Sequence, residues 1–132
     1  MKPRGKHWTV VVVGLIVLAM PAAVTAQSAK VLNVIAVKVK GDEGTYLKKV
    51  KQLDAAIDRL KTGGTIRVWR AALAGDNVGT IFVAVEHANL EAYAKATTKL
   101  EADAQWQKLI KDLNKSGIRK IVGNSLLVEI TP

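Results

Sequence analysis

Arg67 and Trp69 stand two residues apart in the run Thr65-Ile66-Arg67-Val68-Trp69-Arg70, the spacing at which side chains of a β-strand share one face. A guanidinium beside an indole in a partly dry space orients an anionic or phenolic molecule, because arginine keeps its charge and offers a planar fork of donors. Phe82, in the apolar run that follows, adds a second aromatic wall. The same three residues also suit plain interface packing, where aromatics and arginine are enriched. The rest of the reactive inventory is thin. The chain has two histidines, His7 and His87, and no cysteine, which removes disulfides, thiolate metal sites and thiol nucleophiles. Ser28, Ser116 and Ser125 have no histidine at a spacing that suggests a Ser-His-Asp site. Asp42 and Glu43 fall on a turn, and Asp54 and Asp58 on a helix surface, where carboxylates serve solvation. The glycine-bounded stretches 41–44 and 75–79 lack the lysine and helix context of a phosphate loop. No metal and no cofactor is expected.

A sequence of 132 residues supports one compact domain. Its first 26 residues read as a signal peptide. Lys2, Arg4 and Lys6 precede an uncharged run from Trp8 to Val24, Pro21 breaks the run, and Val24-Thr25-Ala26 offers the small or β-branched residues a signal peptidase reads. The aliphatic centre is short against the ~20 residues that span a bilayer, so no stable membrane anchor is expected after cleavage. Domain boundaries of 1–26 for the signal and 27–132 for the folded unit follow, with a periplasmic or secreted location. Removing Lys2, Arg4 and Lys6 lowers the formal charge of +9 by three. The remaining lysines on the expected helices alternate with acids, as in Glu91/Lys95 and Lys108/Asp112, which describes solvated helix faces. A nucleic-acid footprint needs a one-sided basic stripe with interleaved aromatics, so no nucleic-acid partner is expected.

The elements that position Arg67, Trp69 and Phe82 follow from pattern. The β-branched stretch 31–39 (VLNVIAVKV) predicts a first strand. After the turn 41–44, Thr45 is the expected cap of a helix carrying Leu47, Val50, Leu53, Ile57 and Leu60 at helical steps, closed by Gly63-Gly64. Two strands, 65–74 and 80–87, joined across Gly75 to Gly79, predict an antiparallel hairpin. Asn89 caps a second helix with two stripes out of register, Tyr93-Ala96-Leu100 and Trp106-Leu109-Ile110-Leu113. Asp103 therefore marks a kink or a fresh cap, and Trp106 belongs to the core. A last strand, 118–130, carries a bulge or bend at Gly123-Asn124.

The order βαββαβ predicts a ferredoxin-like α+β fold, a four-stranded antiparallel sheet with two helices on one face. Alternation places Arg67, Trp69, Ala71 and Leu73 on the face away from the helices, with Leu32, Val34, Ala36, Phe82 and Ala84. That second face is nearly as apolar as the first, which predicts a two-fold homodimer with the sheets facing each other and a lumen between them.

The element order, the strand Thr65 to Arg70, the junction Glu86-His87-Ala88-Asn89-Leu90-Glu91-Ala92-Tyr93 and the stretch Leu100-Glu101-Ala102-Asp103-Ala104-Gln105-Trp106 resemble the dimeric α+β barrel superfamily, over nearly all of residues 30 to 131. The resemblance is to its antibiotic-biosynthesis-monooxygenase-like members or an uncharacterised branch. It implies a homodimer that takes a small apolar or aromatic molecule between the sheets, with Arg67, Trp69 and Phe82 as lumen candidates, either as a binding module or as a cofactor-independent monooxygenase or isomerase. Haem-degrading members use an asparagine on the first strand, a tryptophan and a histidine, and Asn33, Trp69 and His87 supply those residue types. Their ligating histidine lies on the second helix, whereas His87 ends the third strand, and strand alternation turns Asn33 and His87 toward the helices.

Overall fold

The computed structural model describes residues 29–130; the signal-peptide reading and the boundary at Ala26 fall outside the described residues. Four strands, β1 (Val31–Val39), β2 (Thr65–Arg70), β3 (Ile81–His87) and β4 (Arg119–Val128), form one antiparallel sheet in the order β2-β3-β1-β4. Three helices accompany them: α1 (Glu43–Arg59), α2 (Leu90–Glu101) and α3 (Ala104–Lys115). The fold is the expected α+β ferredoxin-like arrangement. The expected second helix is divided at the point where its two stripes lose register. Asp103 caps α3 by accepting from the Trp106 N–H at 2.8 Å, and its carboxylate also meets Arg59 at 2.7 Å, which ties the start of α3 to the end of α1.

Two local expectations need correction. Asp42, not Thr45, caps α1; its carboxylate accepts from both the N–H and the hydroxyl of Thr45, at 2.7 and 2.6 Å. An ionised acid at that position also meets the positive end of the helix. The second strand stops at Arg70, because Ala74 to Val78 wind into a short 3-10 turn (Gly75–Asn77) in place of a flat hairpin. Ala71 still exchanges backbone hydrogen bonds with Thr80 and Gly79 at 2.9 Å just beyond the strand end, whereas Leu73 lies open to solvent.

The core lies between one sheet face and the helices. Val37, Ile81 and Val83 from alternate strand positions meet Tyr46, Val50 and Leu53 of α1 and Leu113 of α3, with Trp106, Leu109 and Ile110 packed against them. Helical spacing puts Tyr46, Val50, Leu53 and Ile57 on one buried stripe of α1. The β1–β4 register slips between Ala36–Gly123 and Val37–Ile121, leaving Val122 as the extra residue of a bulge beside the expected Gly123. No helix among the described residues is long and apolar enough to cross a membrane.

Candidate functional site

The register fixes which residues share each face. On the face away from the helices Trp69 sits opposite Phe82, Phe82 opposite Ala36, Arg67 opposite Ala84, and Ala84 opposite Val34. Arg67, Trp69 and Phe82 thus lie on one wall, as alternation predicts. Trp69 remains 47% exposed and Leu127, on the same face of β4, 53%. The described chain encloses no space there; the face is an open apolar surface crossed by Arg67.

A partly enclosed space lies on the opposite side. A cavity of about 110 Å³ runs between the sheet and the helix layer, walled mainly by Ile35, Val83 and Val85 of the sheet, Leu53 and Ile57 of α1 and Ala96 of α2. Its volume is on the order of the room one aromatic ring takes in a dry protein cavity. Residues with polar atoms reach the wall from every layer: Asn33 from β1, Tyr46 from α1, His87 from the end of β3, Tyr93 and Thr97 from α2, Trp106 from α3 and Arg119 from the start of β4.

Each is set there by its element. His87 ends β3 immediately before the Asn89 cap, whose side chain accepts from the Ala92 N–H at 2.8 Å; the α2 that follows brings Tyr93 back over the imidazole, the two rings meeting edge to face at 5.4 Å and 73°. Gly64, in the α1–β2 connection, also lies against the ring. A side chain there would meet the Val85 Cγ1 at 2.9 Å and the His87 Cε1 at 3.1 Å, so only glycine lets the backbone lie flush against the imidazole. His87 is 5% exposed, and burial pushes its imidazole below the ordinary value of 6.5, so it is neutral at pH 7. Tyr46 is fully buried.

Three of these groups hold buried atoms with no hydrogen-bond partner among the described residues: the Tyr46 Oη, the His87 Nδ1 and the Arg119 Nε. Leaving a buried donor or acceptor unmet costs about 1–3 kcal/mol, so such atoms concentrated around one cavity mark a place that a polar occupant relieves. Chemically the wall offers a neutral imidazole able to take or give a proton, a phenol, an amide, and a fixed cation. Among the described residues no group of three or more histidines and acids stands together as metal ligands do.

Sequence reasoning placed Asn33 and His87 on the helix side, where they are found. It missed Tyr46 and Arg119. Tyr46 was legible as a member of the stripe with Val50, Leu53 and Ile57; Arg119 was not, since an arginine opening an edge strand usually points to water. A wide open depression over Lys108, Lys111 and Lys115 on α3 is solvated helix surface.

No protein-family model matches the chain, and no curated protein matches it. Solved structures do. A NIPSNAP family protein from Agrobacterium tumefaciens is 20% identical with a TM-score of 0.56, over 78% of this chain and 86% of that one. SnoaB, a cofactor-independent oxygenase from Streptomyces nogalater, is 13% identical with a TM-score of 0.59, over 78% and 95%. An uncharacterized NIPSNAP-like domain protein from Burkholderia xenovorans is 13% identical with a TM-score of 0.56, over 80% and 87%. Identities this low speak for architecture alone, and what they show is that the chain shares the α+β ferredoxin-like fold of NIPSNAP family proteins and of SnoaB.

Proposed function

We infer that this is an exported, homodimeric protein that binds a small apolar or aromatic molecule, and that the molecule lies in the cavity between sheet and helices of each copy. The observation that carries the reading is a partly enclosed, mostly apolar space of about 110 Å³ lined by residues that hold buried polar atoms without partners among the described residues. This moves the site from the inter-sheet lumen, where Arg67, Trp69 and Phe82 were the candidates, to the other face of the same sheet. The open face, with Trp69, Phe82, Val34 and Leu127, is then the surface that a second copy covers, since it is apolar and no helix among the described residues lies over it.

The test is a titration of the full chain with toluene, followed by NMR of the methyl and imidazole signals. Val85, Ile57 and His87 are expected to shift together, and Ala96→Leu, which fills the space from α2, is expected to abolish the response. Shifts confined to the open face, or none, overturn the reading.

A second reading, a cofactor-independent monooxygenase or isomerase, is favoured by one feature: a neutral imidazole on an apolar wall can accept a proton from a bound phenol or quinol. Oxygen uptake with a quinol panel that is lost in His87→Gln supports catalysis at this wall. Uptake lost instead in Arg67→Ala returns the chemistry to the open face, and no uptake across the panel leaves binding as the function.

A further inference from the structure

At the far end of the cavity stands a half-buried guanidinium, that of Arg119, with no carboxylate set against it among the described residues. Arg119 pairs with Val39 at one end of β1 and His87 with Val31 at the other, so the two residues are about 26 Å apart by strand rise. The Arg119 Nε is sealed from solvent and meets no acceptor among the described residues; an Nη2 donates to the Asn114 side-chain oxygen at 3.4 Å. None of the ion pairs among the described residues includes Arg119. Tyr46, in the first turns of α1 just after β1, belongs to the same end, is fully buried, and has an Oη without a partner. Both residues line the cavity, and both can donate. A cationic N–H shut away from water is costly unless an acceptor reaches it, and an anionic acceptor relieves the charge as well as the hydrogen bond.

We propose that the occupant is a small carboxylate-bearing molecule, its anionic oxygen received by Arg119 and Tyr46 and its hydrocarbon body lying along Val50 and Leu53. This rests on the cavity being the binding site and adds the charge and direction of what enters it.

The experiment compares benzoate, benzyl alcohol and toluene as probes of the full chain, using saturation-transfer NMR, in the wild type, Arg119→Gln, Arg119→Lys and Tyr46→Phe. Benzoate is expected to bind about tenfold more tightly than benzyl alcohol, in line with a charge-assisted hydrogen bond. Arg119→Gln erases that preference by weakening benzoate far more than toluene; Tyr46→Phe reduces it in part. Should Arg119→Gln fail to fold, Arg119→Lys must still weaken benzoate more than toluene. Toluene binding with no benzoate preference, or with a preference that survives Arg119→Gln and Arg119→Lys, overturns the carboxylate assignment and leaves the apolar site standing. Binding of none of the three probes overturns both.

Discussion

Replacing Trp69 by alanine tests what covers the open sheet face. Trp69 keeps 47% of its surface exposed beside Phe82. A buried indole removes roughly 150–250 Å² from water, so roughly 100 Å² remains to be covered, which at about 25 cal/mol per Å² is worth about 2.5 kcal/mol. A two-fold interface contains the residue twice, which sets a ceiling of about 5 kcal/mol. Interfaces return only part of the area term, so the expected loss is about 2–3 kcal/mol, roughly a hundredfold in the dimer dissociation constant. The indole lies across the sheet from the cluster of Val37, Tyr46 and Leu113, so each copy should keep its fold. Sedimentation velocity over a dilution series reads the change directly. A wild-type protein that stays monomeric at the highest concentration, or a Trp69→Ala variant with an unchanged dissociation constant, refutes the two-fold covering.

Two further outcomes concern the His87 wall. Gly64→Ala puts a methyl group 2.9 Å from the Val85 Cγ1 and 3.1 Å from the His87 Cε1, so stability should fall by about 1–3 kcal/mol in urea melts and the imidazole signals should shift; a neutral substitution contradicts the flush packing. Burial holds the folded imidazole below 6.5, so the unfolded chain takes up a proton first as the pH falls. Stability should therefore decline from about pH 6.5 downward until the folded value is passed, and His87→Gln should flatten this part of the profile; parallel profiles for the two proteins contradict it.

The fold was largely legible because its signals are local. Period-two and period-3.6 patterns set β1, α1 and the core stripe, and the broken register of two stripes marks the Asp103 cap. The cap of α1 was misread because Asp42 and Thr45 both carry capping oxygens; the choice depends on which carboxylate reaches back to the Thr45 N–H. The hairpin was overextended because Ala71, Ala72 and Leu73 fit a strand, while the 3-10 turn that ends it is set by the positive φ of Gly75 and Gly79. The site was legible only in halves. Alternation gave the faces of Arg67, Trp69, Asn33 and His87, but whether a face encloses space depends on how far the helices stand from the sheet. That distance comes from side-chain volumes across elements far apart in sequence, which no local pattern records. Arg119 shows the difference: its place at the start of β4 was readable, but the sealing of its Nε required the helix layer.

A crystal soaked in bromobenzene decides where a molecule is received, since bromine can be located by its anomalous signal independently of the rest of the map. The account predicts a bromine peak inside each copy, among Leu53, Ile57, Val85 and Ala96. A peak between two sheets, against Trp69 and Phe82, or an empty cavity at full soak, contradicts it.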